Sequence, residues 1–109
     1  MTFSPSAALL DAVVLAVVST EEDTYGYKIT QDVRNIMDVS ESTLYPVLRR
    51  LQKDGLLETY DMEYQGRNRR YYKITPDGMI HLDKYRGEWI LYKNTIDGLL
   101  LGVKAQDDK

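Results

Sequence analysis

A chain of 109 residues, 43% of them hydrophobic, with a net charge of −3, is sized for one small globular domain and is too apolar to be a disordered segment. The absence of cysteine excludes disulfides and thiolate zinc sites, and the lone histidine, His81, has no second histidine with which to build a transition-metal site. The charge is unevenly spread: residues 41–75 hold seven basic against five acidic side chains, whereas residues 1–40 hold two against six, so a local basic patch can meet phosphates on a protein of negative total charge.

The first apolar run, residues 7–18, predicts a helix apolar nearly all round except for Asp11. Ser4 or Ser6 can cap it, with Pro5 near the first turn. The run is too short to span a bilayer and has no basic leader, so it reads as a buried helix rather than a membrane span or a signal peptide. A polar turn at residues 20–24 leads to a second helix, one face of which is marked by Ile29, Val33, Ile36 and Met37.

The third helix begins near Ser40 or Ser42. Leu44, Val47, Leu48 and Leu51 form its core stripe, while Ser42, Tyr45, Arg49 and Lys53 lie roughly opposite, with Arg50 at the flank. Gly55 ends it in the left-handed conformation that glycine takes without strain. Pro46 removes one backbone hydrogen bond inside this helix and has no local justification.

Residues 57–64 alternate loosely, residues 65–68 make a turn and residues 69–74 return, which predicts a β-hairpin. Its segment GRNRRYYK carries four cations and no acid, and Tyr60, Tyr64, Tyr71 and Tyr72 suit strands. Asp61 and Glu63 share a face of the hairpin and read as solvated carboxylates. Thr75, Pro76 and Asp77 then open a last helix as cap, first residue and dipole-facing acid.

In that helix Leu82, Tyr85, Trp89, Tyr92, Ile96, Leu99 and Val103 step by threes and fours, an a/d pattern. One helix on a small domain cannot hide such a stripe alone, and a second copy related by a two-fold axis is the simplest cover. Gly87, Gly98 and Gly102 weaken the helix, so packing on the partner is expected to stabilise it. Residues 106–109 are expected to be a disordered tail.

The predicted fold class is mainly α with a small β-hairpin (α+β): a winged helix-turn-helix followed by a long dimerisation helix. Residues 1–75, including the N-terminal helix, form the DNA-binding unit, and residues 76–105 the dimerisation helix. The third helix would enter the major groove, with Arg49 placed to read a guanine edge. The candidate contacts are Ser42, Thr43, Tyr45, Arg49 and Lys53 on the helix and Arg67, Asn68, Arg69 and Arg70 on the wing. The plainer alternative is an ordinary solvated helix face beside a basic hairpin.

Three segments sharpen the choice. TYGYKI, STLYPVLRRLQKDGLL and GRNRRYYKITPDG resemble, in order and spacing, the signature segments of the PadR family of winged-helix transcriptional regulators. They span residues 24–78, about half the chain. The length is similar to that of the short subfamily, which ends in a single dimerisation helix. The resemblance implies a cytoplasmic homodimeric repressor on a palindromic double-stranded operator. It also implies that Pro46 is tolerated, since the family pattern has Leu-Tyr-Pro there. It carries DNA contacts onto Ser42, Thr43, Tyr45 and Arg49, and onto Gly66, Arg67, Arg69 and Arg70 at the wing. Tyr25 and Tyr27 would anchor the second helix, with Tyr27 or Lys28 reaching a phosphate.

The resemblance further implies that a flat aromatic small molecule can stack between the paired Trp89 side chains of a dimer. In the simpler alternative Trp89 only packs the seam. Lys93, one turn beyond, argues against a preference for cationic ligands. No cofactor is expected. A reading from another class is a winged-helix protein-interaction module that has lost DNA, motivated by the acidic total charge. An enzyme has no support, because the sequence holds no nucleophile–base pair, phosphate loop or metal cluster.

Overall fold

The computed structural model describes residues 6–102. In chain order these are α1 (Ala7–Ser19), a short strand β1 (Thr24–Tyr25), α2 (Gly26–Arg34), α3 (Glu41–Lys53), β2 (Leu57–Tyr64), β3 (Arg67–Ile74) and α4 (Pro76–Leu100). The sheet is antiparallel with strand order β1-β3-β2. This is the predicted α+β winged helix with a long C-terminal helix, and it carries one strand more than the hairpin.

Ser6 is the cap of α1, its hydroxyl accepting from the Leu9 N–H at 3.1 Å; Ser4 and Pro5 lie outside the described residues. Val14, Leu15 and Val18 of α1 pack with Ile29 and Val33 of α2, with the α3 stripe and with Leu57 of β2 into one core. Each such aliphatic side chain, taken fully out of water, contributes about 1.5–3 kcal/mol.

The α2 helix stops at Arg34, short of the expected face. Ile36 and Met37 both direct their N–H groups to the Val33 carbonyl at 2.9 Å, which tightens the last turn and swings the chain off the helix axis. Ile36 is therefore 70% exposed rather than buried, while Met37 still packs on the core.

Ser40 caps α3, accepting from the Thr43 N–H at 3.2 Å. Leu44, Val47, Leu48 and Leu51 are all buried as expected. Pro46 sits inside an unbroken helix. The partner it deprives is the carbonyl of Ser42, one turn back, and both residues are exposed, so water can take the place of the lost donor. The helix closes with the Leu56 N–H bonded to the Leu51 carbonyl and the Gly55 N–H to that of Gln52, with Gly55 at φ +80°.

The hairpin turns on only Gln65 and Gly66, at φ 51° and 80°, the paired positive values of a type I′ turn. Arg67 and Asn68, expected in the turn, instead begin β3. The strand β1 was unexpected, since residues 20–24 read as a polar turn. Thr24 pairs with Tyr72 and Tyr25 with Tyr71; a strand of two residues is too short to show any alternation of its own.

Thr75 caps α4, accepting from the Gly78 N–H at 2.9 Å and donating to the Gly55 carbonyl at 2.7 Å. The helix therefore starts directly against the end of α3. Gly78 and Leu82 are buried and Tyr85 packs partly on the core against α1. Beyond Tyr85 the helix leaves the core, with Trp89 47%, Tyr92 62% and Leu99 77% exposed. Leu82, expected in the dimer stripe, is fully committed to its own chain's core and has no surface left for a partner. Val103 and the expected tail lie outside the described residues. Among the described residues no helix is long and apolar enough to cross a membrane, and no group of side chains is placed to hold a metal ion.

Candidate nucleic-acid interface

The α3 helix has two chemically distinct sides because its aliphatic residues recur every three or four positions. The stripe from Leu44 to Leu51 seats it on α1 and α2, and Ser42, Thr43, Pro46, Arg49 and Lys53 are exposed on the outside. Tyr45 is half-buried, its ring against Gly26 at the start of α2. Among the described residues, Arg49, Lys53 and Arg67 make no ion pair with a carboxylate.

Strand alternation sorts the wing into two faces. Thr59, Asp61 and Glu63 of β2 share one face with Tyr72, Arg70 and Asn68 of β3. Tyr60, Met62 and Tyr64 share the other with Tyr71, Arg69 and Arg67. The first face adjoins α3. Burial pushes the Tyr72 phenol above its usual range, while the nearby charges of Arg70 and Arg49 pull the other way. Gln52 of α3 donates to the Thr59 hydroxyl of β2 at 3.4 Å, and the Tyr45 and Tyr72 rings both lie beside Gly26, so the exposed side of α3 and the wing meet at Tyr72.

The sequence-derived contacts separate accordingly. Arg49, Arg70, Asn68 and Tyr45 lie around or along this junction, and Ser42, Thr43 and Lys53 lie on the open side of α3. Arg70 is also 3.4 Å from Asp61. Arg69 is on the other face, its guanidinium over the rings of Tyr25 and Tyr64. Lys28 is engaged by Glu21 at 2.6 Å and Asp32 at 3.1 Å, and these hydrogen bonds hold its ammonium above the usual lysine range. Two of the three ammonium N–H donors are thus taken up within the chain, and the two carboxylates offset the charge a phosphate would meet.

Two features escaped the sequence reading. Arg50, assigned only to the flank of α3, forms a two-pronged pair with Asp11 of α1, Nη2 to Oδ1 at 2.5 Å and Nη1 to Oδ2 at 3.1 Å. The available signal was a single charge in an otherwise apolar helix. The other is Asp23, which adopts φ 56° and accepts from the Tyr60 hydroxyl at 2.6 Å, a bond that raises the Tyr60 phenol above its usual range.

A groove of about 450 Å³ runs between α1 and α4, lined by Ala8, Leu9, Ala12, Tyr85, Glu88, Trp89 and Tyr92. Trp89 and Tyr92 have ring centroids 6.3 Å apart there.

Residues 14–84 match the model of the Transcriptional regulator PadR-like family. The crystal structure of smu.1704 from Streptococcus mutans superposes with a TM-score of 0.84 at 46% identity, covering 98% of this chain and 100% of that one. A PadR family transcription regulator from Clostridium difficile gives a TM-score of 0.76 at 28% identity, covering 84% and 97%. A transcriptional regulator of Mycobacterium tuberculosis is 39% identical over 69 residues, 62% of this chain and 64% of that protein.

Proposed function

The chain belongs to the PadR-like family of transcriptional regulators, and from that premise we propose that it is a cytoplasmic repressor whose two copies pair along α4 and grip a palindromic operator with two α3 helices. Its role is regulatory rather than enzymatic. Residues 1–75 bind DNA and residues 76–105 join the copies. The observation that carries this reading is the outer side of α3: among the described residues Arg49 and Lys53 form no ion pair with a carboxylate, and Arg49 lies beside Tyr72, where α3 meets the wing.

In this reading Arg49 reads a base edge in the major groove, while Ser42, Thr43 and Tyr45 contact backbone near the start of α3, where free N–H groups favour phosphate. Lys53, Arg67, Asn68 and Arg70 hold phosphates around it. Arg69 and Lys28 contribute less, because both are engaged within the chain. Apolar α4 surface beyond Tyr85 supports the pairing of two copies, with Tyr85, Trp89, Tyr92, Ile96 and Leu99 at the seam. The groove beside Trp89 takes a flat aromatic molecule, which stacks on the indole and relieves repression by favouring a dimer geometry in which the two α3 helices no longer match the half-sites.

The test is a fluorescence-anisotropy titration of the DNA upstream of the protein's own gene at two salt concentrations, with a scrambled duplex as control. Tight, salt-sensitive binding that prefers the native duplex is expected. Weak, equal binding to both duplexes, unchanged in Arg49→Ala, would instead favour a protein partner, the reading that the net charge of −3 supports. Saturable quenching of Trp89 fluorescence by an aromatic panel tests the groove.

A further inference from the structure

Asp11 is the only charged residue in α1, and it is buried, with 8% of its surface exposed. Burying a carboxylate is costly, and the two-pronged pair with Arg50 offsets that cost without making it a gain. Well-packed apolar side chains in place of both Asp11 and Arg50 would serve the core as well or better, so stability alone does not account for the pair. Orientation does. The buried aliphatic stripe beneath α3 sets how deep the helix sits and which side faces the core, but apolar contacts are non-directional and fix the exact rotation less finely than paired hydrogen bonds do. A guanidinium–carboxylate fork has a fixed geometry, and this one joins residues 39 positions apart. Arg49 and Arg50 are consecutive, so a rotation of α3 that carries Arg50 towards Asp11 also sets where Arg49 points. The Tyr85 phenol of α4 lies near enough to Asp11 to feel its charge, so α1, α3 and α4 converge on this carboxylate.

We propose that Asp11 is a positioning residue for DNA recognition: through Arg50 it sets the rotation of α3 and the direction of Arg49, and it withholds the Arg50 guanidinium from the phosphates. The proposal rests on α3 being the recognition helix.

The test uses the full chain, a duplex selected from a random-sequence library by the wild-type protein, and a scrambled duplex of the same composition. Asp11→Asn keeps the shape and removes the charge. Its affinity for the selected duplex should fall roughly tenfold, within the range for one lost bidentate base contact. Its affinity for the scrambled duplex should rise, with the slope of log K against log salt steeper by about 0.9, one further phosphate. Adding Arg50→Gln should abolish the rise and leave the loss. Equal changes on the two duplexes, or no change on either, would overturn the proposal. If Asp11→Asn does not fold, as judged by circular dichroism, Arg50→Lys keeps the charge and loses the fork; a ratio of selected to scrambled affinity equal to wild type would then overturn it. Arg49→Ala separates the levels. If it leaves selected-duplex binding intact, the α3 assignment fails and takes the proposal with it. If it weakens binding while Asp11→Asn does not, only the role of Asp11 fails.

Discussion

The Arg69 guanidinium carbon lies over two tyrosine rings, 4.0 Å from the centroid of Tyr25 and 3.8 Å from that of Tyr64. Tyr25 belongs to β1 and Tyr64 ends β2, so one side chain of β3 ties both neighbouring strands together near the base and the tip of the wing. Tyr71 extends the cluster, meeting Tyr25 edge-on at 5.9 Å and Tyr60 in a stack at 5.6 Å. A cation over one exposed ring stabilises by about 0.5–1 kcal/mol. Arg69→Ala should therefore lower the unfolding free energy of the DNA-free protein by about 1–2 kcal/mol, two such contacts. Arg69→Lys keeps the charge but loses the planar stack and should recover less than half of that. A residue serving only as a phosphate contact would leave thermal unfolding of the free protein unchanged in both variants.

Gly78 tests the junction between α3 and α4. A Cβ there would collide with the Leu56 carbonyl oxygen and the Ile74 side chain, and the carbonyl is fixed because it already accepts from the Thr75 N–H at 3.1 Å. Gly78→Ala should destabilise by about 1–3 kcal/mol, as overpacking does. Gly87 lies in the same helix with open space around its Cβ position, so Gly87→Ala should stabilise by up to about 1 kcal/mol through helix propensity alone. Urea unfolding midpoints of the two variants, at equal protein concentration, should move in opposite directions.

Alkaline pH probes the tyrosines. Burial raises the phenols of Tyr72 and Tyr85, and the hydrogen bond to Asp23 raises that of Tyr60. A raised pKa means that the folded state holds the proton more tightly than the unfolded chain does. The stability this gives is complete below the unfolded value, about 10, and is lost as pH climbs through the higher folded values. Lys28, also raised, acts with the same sign. The thermal midpoint should be level from about pH 7 to 9 and fall above about 10. Tyr72→Phe should make that fall shallower, because it removes a half-buried ionisable phenol whose pKa is raised. An equally steep fall in Tyr72→Phe would assign the loss to other groups.

Much of this architecture was legible because it is periodic or locally signed. The stripe through Leu44, Val47, Leu48 and Leu51 announced α3, and the pairing of Thr75 with Pro76 announced the start of α4. What stayed hidden depends on partners distant in the chain. Thr24 and Tyr25 become a strand only because Tyr71 and Tyr72 arrive alongside them. Ile36 has the right spacing for α2, but the backbone tightens one residue too soon. Arg69 and Arg70 look equivalent as neighbours in a basic run, yet alternation puts one in a tyrosine stack and the other on the face that adjoins α3. Leu82 fits the heptad, but the Gly78 approach brings the first turns of α4 so close to the core that this residue is consumed by its own chain.

The part of α4 beyond the core sets the last prediction. Leu99 stands in solvent on the same stripe as Trp89 and Tyr92, although burying one leucine is worth about 1.5–3 kcal/mol. Two-fold symmetry counts each seam residue twice, so Leu99→Glu should cost a dimer about 3–6 kcal/mol before like-charge repulsion is added. That corresponds to a dimer Kd raised roughly a hundredfold to ten-thousandfold. Analytical ultracentrifugation over a concentration series should find wild type dimeric where Leu99→Glu is monomeric, while circular dichroism reports a folded domain in both, since Leu99 touches none of the core. The same variant should bind a palindromic duplex no better than an isolated half-site, because the two α3 helices are then no longer linked. If Leu99→Glu stays dimeric while Trp89→Glu dissociates, the seam ends before the last turn of α4. A wild-type protein monomeric throughout the series would remove the two-fold arrangement and, with it, the palindrome.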